Sequence, residues 1–207
     1  MKISYGITVC NELIEIQTLL NFLKENKRPN DEIVILFDSE NGSLDVLSFL
    51  KSVEGPNCYV HSAKFNNDFA EWKNMLSELC SGDYIFQIDA DEVPNKYLIQ
   101  TLPLIIQSNP KNEVYLIPRI NTVTGLTDEH IKKWGWSVNL KGWINFPDLQ
   151  TRVWKKDTRI RWVGKVHERL SNYRTFSNLP NDEIYCLYHP KEIERQERQN
   201  SYYQKLQ

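Results

Sequence analysis

The sequence predicts an α/β fold built on a mostly parallel, doubly wound sheet flanked by helices, with a smaller antiparallel second half. Three observations carry this reading. Short apolar runs alternate with helical patterns through the first 120 residues. The run Glu32 to Phe37 is rich in Ile, Val and Leu without polar alternation, as in a strand buried on both faces. Turn residues such as Pro29-Asn30-Asp31, Asn41-Gly42 and Gly55-Pro56-Asn57 punctuate the units. Strands alternating with helices imply parallel pairing through right-handed crossovers, with ligands bound beyond the carboxyl ends of the strands.

Each element follows from local pattern. Ile3 to Val9 is a first strand, and Asn11 is placed to cap a helix in which Leu13, Ile16, Leu20 and Leu23 recur at helical spacing. Glu32 to Phe37 is the second strand, Ser43 to Ser52 a helix, and Cys58 to Ser62 the third strand. Asp68 to Cys80 reads as a helix closed by Gly82, followed by a fourth strand from Tyr84 to Asp89. Pro94 opens a helix over Asn95 to Ser108, with Pro103 placed to kink it, and Val114 to Ile120 is the fifth strand. Asn121 to Pro147 has no clear period and reads as a long loop or short antiparallel strands. Thr151 to Trp154, Ile160 to Val166 and Ile184 to His189 are further strands. A charged helix from Ile193 to Leu206, with Arg195, Arg198, Tyr202 and Tyr203, is free to pack on the core, dimerise or rest on a membrane surface.

Composition bounds the function. With 207 residues, 25 basic against 27 acidic side chains and a net charge of −2, the chain lacks the basic excess of a nucleic-acid-binding domain. Its 41% hydrophobic content argues against disorder. No run approaches the roughly 20 apolar residues of a membrane span, and the start lacks a signal peptide's apolar core, so the expected location is cytoplasmic. Cys10, Cys58, Cys80 and Cys186 form no Cys-x-x-Cys pair and are expected to be reduced thiols.

The most informative string is Ile85-Phe86-Gln87-Ile88-Asp89-Ala90-Asp91-Glu92. In extended chain Asp89 and Asp91 project to one side and can converge on one cation, while Glu92 points elsewhere. Two adjacent carboxylates stay ionised most readily around a positive partner, and a hard divalent ion shared with substrate phosphates is the usual one. The alternative is that both merely cap the next helix.

With that string in place, the chain from Ile3 to about His189 resembles a family 2 glycosyltransferase of the nucleotide-sugar-dependent GT-A fold. The residues that carry the resemblance are Thr8-Val9-Cys10-Asn11-Glu12, the strand ending in Asp38, the helix with Asp68-Phe69-Ala70-Glu71-Trp72-Lys73-Asn74, the Asp89-Ala90-Asp91-Glu92 string, and Val166-His167-Glu168. It implies one domain, with residues 1–120 as the nucleotide-sugar half, 121–190 as the acceptor side and 191–207 as a terminal helix. It implies further that Thr8, Cys10, Asn11 and Glu12 line the donor pocket with Ala90, and that Asp38 accepts from nucleobase or ribose unless it is only a turn residue. Lys73 and Asn74 would offset diphosphate charge, or else form a solvated face. Asp89, Asp91 and His167 would hold Mn²⁺ or Mg²⁺. Asp148 resembles the family's later acidic motif and is the first candidate for general base, with Glu168 second.

The activity so implied is metal-dependent, inverting transfer of a sugar from a nucleotide diphosphate, a UDP-sugar, to a glycan, lipid-linked or protein hydroxyl. A nucleotidyltransferase on a similar fold would need a Gly-rich loop after the first strand, and Val9-Cys10-Asn11-Glu12 has no glycine. A non-catalytic saccharide-binding protein is the third reading. The basic run Arg152 to Arg174 is expected to hold diphosphate or an anionic acceptor, or to be solvated. Five of the six tryptophans fall between Trp134 and Trp162, as an acceptor wall or as core.

Overall fold

The computed structural model describes residues 1–206, with residues 199 and 201–206 described by their backbone alone, so the side chains of Tyr202 and Tyr203 lie outside the described residues. Eleven strands and six α-helices are formed: β1 Ile3–Val9, α1 Leu13–Asn26, β2 Glu32–Asp38, α2 Leu44–Val53, β3 Cys58–Ala63, α3 Phe69–Leu79, β4 Tyr84–Asp89, β5 Val93–Pro94, α4 Lys96–Ser108, β6 Val114–Thr124, α5 Asp128–Trp134, β7 Ile144–Lys155, β8 Arg161–Val163, β9 Arg169–Ser171, β10 Phe176–Asn178, β11 Leu187–Glu192 and α6 Ile193–Leu206. The main sheet has the order β3-β2-β1-β4-β7-β6-β11-β5, with β10 also on β6, and β8-β9 form a separate pair. The first four strands are parallel, as the alternation predicts. β7 then enters antiparallel between β4 and β6.

Two apolar layers follow from the period-2 pattern of the strands. Ile3, Tyr5, Ile7 and Val9 of β1, with Ile33, Ile35 and Phe37 of β2, pack with the buried stripes of α1, α2 and α4. The opposite face sets Val34, Leu36, Ile85 and Trp154 against Ala70, Trp72 and Leu76 of α3 and Trp162 of β8. Gly6 has its α-carbon beneath Leu76, where an added β-carbon would lie 3.2 Å from Leu76 Cδ2.

Several boundaries differ from the sequence reading for local reasons. Asn11 does not cap α1; Glu12 precedes the helix, and its carboxylate accepts from the backbone N–H of Cys10 at 2.9 Å and Asn11 at 3.0 Å. Pro94 lies in β5, where it pairs with Leu187, and Asn95 caps α4 by accepting from Tyr97 N–H at 2.9 Å. The segment from 121 to 147 extends β6 to Thr124 and then forms α5, capped by Thr127 and ended by Gly135 in the left-handed region at φ 64°. Thr151 to Trp154 is part of the much longer β7, while Ile160 to Val166 shrinks to the three residues of β8. Among the described residues no helix is long and apolar enough to cross a membrane. All four cysteines are thiols, three of them buried.

At the amino-terminal edge of the sheet, away from the carboxyl ends, Glu32 is a buried staple. It accepts from Lys2 Nζ at 2.5 Å, Ser4 Oγ at 2.5 Å, Ser81 N–H at 2.6 Å and Ser81 Oγ at 2.7 Å. Burial alone would raise its pKa, but these donors, Lys2 foremost, bring it down to about 2 from an ordinary 4.5. A depressed carboxylate pKa contributes stability that is present above the unfolded value and is lost as pH falls toward the folded one. Glu32→Gln should therefore cost about 3 kcal/mol at neutral pH and much less near pH 3. Urea unfolding at both pH values checks this; an equal loss at both would contradict it.

Candidate active site

Strands β1, β2 and β4 deliver their last residues to one edge. Thr8 sits in register with Asp89 and Leu36, and Asp38 ends β2 beside Ala63. Asp38 is committed to its own turn. Oδ1 accepts from the N–H groups of Glu40, Asn41 and Phe65 at 3.0, 3.3 and 3.4 Å, and Oδ2 from Asn41 Nδ2 at 2.8 Å. Burial would raise its pKa, yet these bonds, led by the Asn41 side chain, hold it below the usual range. The turn is tight: a β-carbon on Gly42 would stand 2.3 Å from Asp38 O and from the Phe37 ring. Ser43 N–H donates to Cys10 O at 3.2 Å, joining this turn to the β1–α1 loop. Burial, together with Glu12 and Asp38, pushes the Cys10 thiol up to about 11, so it stays neutral.

The acidic string is built into a charge network. Arg152 of β7, 3% exposed, donates through Nη2 to Asp89 Oδ2 at 2.5 Å and to Glu92 Oε1 at 2.5 Å. Glu92 is fully buried, accepts from Asp89 N–H at 3.1 Å, and is bound by Arg119 Nη1 at 2.9 Å. Gln87 Nε2 donates to Asp89 Oδ1 at 3.0 Å. Burial would raise the Asp89 pKa, but Arg152, then Lys73 and Arg119, hold it well below the carboxylate range.

Asp91 has different partners. Its Oδ2 lies 3.3 Å from His189 Nε2 of β11 and 3.2 Å from Arg195 Nη2 of α6. Burial opposes ionisation, yet His189 and Arg195 hold its pKa down to about 2 against the nearby Asp89 charge. His189 Nδ1 is 2.7 Å from Asn121 Oδ1, which fixes the ring orientation. Lys191, two residues on, has its pKa lowered by burial against the attraction of Asp91.

Asp148 completes the chain. Its Oδ2 accepts from Arg119 Nη2 at 2.7 Å, Arg119 Nε at 2.9 Å and Asn121 Nδ2 at 2.8 Å, and its Oδ1 from Gln150 Nε2 at 2.6 Å. Burial raises its pKa, but Arg119 and these bonds outweigh it and keep the group ionised. On α3, Lys73 Nζ pairs with Glu168 Oε1 at 2.5 Å and lies 4.5 Å over the Trp162 ring. Asn74 clamps β8 by exchanging two 2.9 Å bonds with the Trp162 backbone. His167 lies in the exposed β8–β9 turn at φ 58°.

The structure thus brings Asp89, Ala90 and Asp91 to the carboxyl edge with Thr8, Cys10, Glu12 and Asp38. Among the described residues, no three His, Cys, Asp or Glu side chains converge as a preformed metal cage, so Asp89, Asp91 and His167 are not gathered into one. The histidine that reaches Asp91 is His189. Sequence reasoning gave Glu92 another direction and no role to Arg119 or Asn121, and it placed Arg152 in the basic run and Arg195 in the terminal helix without their acid partners. The available signal was charge inside apolar strands: Arg119 interrupts Val114 to Ile120, and Arg152 interrupts Thr151 to Trp154. Elsewhere in the basic run, Arg159 pairs with Glu113 and Arg161 with Glu78. Trp154 and Trp162 pack edge to face in the core at 5.5 Å, whereas Trp134, Trp136 and Trp143 are half-buried outside it.

Residues 4–180 match the family described as Glycosyl transferase family 2, and the chain belongs to that family. It is 26% identical over 197 residues to the SPbeta prophage-derived glycosyltransferase SunS of Bacillus subtilis (strain 168), covering 92% of this chain and 40% of SunS. The SunS of Bacillus phage SPbeta matches equally. Among solved structures, S. aureus TarS 1–349 superposes with a TM-score of 0.66 at 19% identity over 92% of this chain and 60% of that one. The same protein in complex with UDP-GlcNAc gives 0.67 at 18% identity, over 92% of this chain and 59% of that one. The chain spans 40% of the length of these curated relatives. The shared architecture is the GT-A fold.

Removing one partner of a buried ion pair leaves the other uncompensated. Arg152→Met should lower stability by about 3–5 kcal/mol. Pairing it with Glu92→Gln should cost less than the sum of the single losses, because the two side chains share one interaction. Chemical denaturation of the three variants measures this, and strict additivity would contradict it.

Proposed function

We propose that this chain is the donor-handling, catalytic unit of an inverting glycosyltransferase that moves a sugar from a UDP-sugar to a hydroxyl of a glycan, lipid-linked or protein acceptor. The observation that carries the reading is the division of labour in the acidic string: Arg152 engages Asp89 and Glu92 from within the sheet, while Asp91 turns to His189 at the sheet's edge. UDP as the nucleotide carrier is supported by the TarS complexes with UDP-GlcNAc and UDP.

The donor set at Asp91 fits a divalent ion of the Mn²⁺ or Mg²⁺ kind. One carboxylate and one oriented imidazole supply two ligands, and such ions take their remaining ligands from substrate phosphates and water. In this reading His189, rather than His167, is the imidazole ligand. When bound, the ion would neutralise charge on the departing diphosphate. Lys73 stands close enough to Asp89 to help keep it ionised, and would balance further phosphate charge. Asp148 receives the proton of the acceptor hydroxyl as that oxygen attacks the anomeric carbon. The bond from sugar to diphosphate breaks in the same displacement, its electron pair leaving with the diphosphate, and the anomeric configuration inverts. Arg119, Asn121 and Gln150 orient Asp148 for that role, and Arg119 keeps it ionised between turnovers. Glu168, paired with Lys73, is the second candidate base.

A thermal-shift screen of UDP-sugars with and without Mn²⁺ tests the donor. Ligand at 100 times its dissociation constant should stabilise the fold by about 2.7 kcal/mol. Asp91→Asn should abolish the Mn²⁺-dependent part and the hydrolysis of donor; Mn²⁺-dependent turnover retained in that variant would overturn the metal assignment. Asp148→Asn should lower kcat by about 10²–10⁴-fold with little change in donor KM, whereas Glu168→Gln should not. The reverse ranking would move the base to Glu168.

A further inference from the structure

Arg195 opens the last helix and is tied to three carboxylates from distant parts of the chain. Nη1 lies 2.5 Å from Glu15 Oε1, and Nη2 lies 3.2 Å from Asp91 Oδ2 and 3.6 Å from Glu12 Oε1. The contact is partly shielded, with Arg195 27% exposed and Asp91 15% exposed. Asp91 is the carboxylate that the proposed function gives to the divalent ion, and Arg195 shares its Oδ2 with His189. A divalent cation on that oxygen and a guanidinium at ion-pair distance from it repel each other strongly. The ion and Arg195 are therefore competitors for Asp91.

Glu12 and Glu15 decide where Arg195 goes when it yields. Both lie at the start of α1, on the first loop of the donor edge, so the guanidinium stays tethered there after leaving Asp91. The ion arrives with the donor diphosphate, which brings new negative charge to the place just vacated. A planar guanidinium binds two phosphate oxygens side by side in a way that a point charge cannot.

We propose that Arg195 is a diphosphate-binding residue that guards Asp91 before the donor arrives. It occupies Asp91 in the empty protein, gives way to the divalent ion, and turns onto the diphosphate while Glu12 and Glu15 keep it in place. Ion and nucleotide then favour each other's binding: the ion alone must displace Arg195, and the nucleotide alone meets a guanidinium already engaged by an acid. This rests on the reading that Asp91 holds the ion, and the experiment separates the two.

Mn²⁺ alone is titrated into the full chain and followed by the spin resonance of the unbound ion. UDP is titrated by calorimetry with and without Mn²⁺. Arg195→Ala should bind Mn²⁺ alone about five- to ten-fold more tightly and UDP with Mn²⁺ about ten-fold more weakly, opposite shifts that a general loss of structure cannot give. Arg195→Lys keeps the charge and loses the fork, so it should hold Mn²⁺ like the wild type and still bind UDP more weakly. Unchanged Mn²⁺ affinity in Arg195→Ala, or unchanged UDP affinity in either variant, overturns the role of Arg195. If Asp91→Asn binds Mn²⁺ as the wild type does, the metal reading of Asp91 fails, and the guarding role fails with it. Equal melting temperatures of Arg195→Lys and wild type certify that the comparison is made on folded protein.

Discussion

The structure turns on one buried guanidinium. Arg152 and Glu92 are almost completely withdrawn from solvent, and withdrawing either charge costs several kcal/mol unless the other meets it with good geometry. Glu92 follows β4 by three residues, and Arg152 lies near the far end of β7. For the two to meet, β7 must lie directly beside β4, and it does so antiparallel. The break in the parallel order of the sheet and the position of the acidic string are thus consequences of the same contact. Arg119 reaches Glu92 from β6, on the other side of β7, so both β6 and β7 are registered against the end of β4 by charge as well as by apolar packing.

That arrangement also sets the electrostatics of the edge. Asp89, Asp91 and Asp148 gather in a small region, where mutual repulsion would ordinarily raise their pKa values. Arg119, Arg152, Lys73 and Arg195 counter this, so that burial and repulsion lose and these three acids are held below the ordinary carboxylate value. The part of this field built by Arg119 and Arg152 inside the sheet is fixed, and fixed charge requires little reorganisation when a charged ligand enters. The chain's near-neutral total conceals this: the two signs are interleaved at the site, while Arg159 and Arg161 of the basic run pair with Glu113 and Glu78.

Much of the fold is legible because the first half obeys simple periods. The Ile, Val and Leu run of β2 could only be a strand covered on both faces, and α1 and α3 show their stripes plainly. The acidic string and its place at the strand ends were equally visible. What escaped were features set by partners distant in sequence. β7 carries half-exposed residues over much of its length, so its pattern breaks up when read alone, and only pairing with β6 and β4 makes it one strand. Pro94 has the look of a first helical residue but is taken up by an edge pair with β11. That His189 is a histidine reaching Asp91 had no local signal, since it is a single histidine near the end of a short strand pattern.

The sequence by itself determined the α/β class and the placing of Asp38, Asp89 and Asp91 at the carboxyl edge of the sheet, because these depend on periodicity and on neighbouring residues. Tertiary structure alone decided which cation meets which acid. Arg152 stands 60 residues from Glu92, and His189 and Arg195 approach Asp91 from about a hundred residues away. Such pairings are fixed by strand order and by the high cost of leaving a buried charge alone, and neither quantity is written in any local stretch of chain.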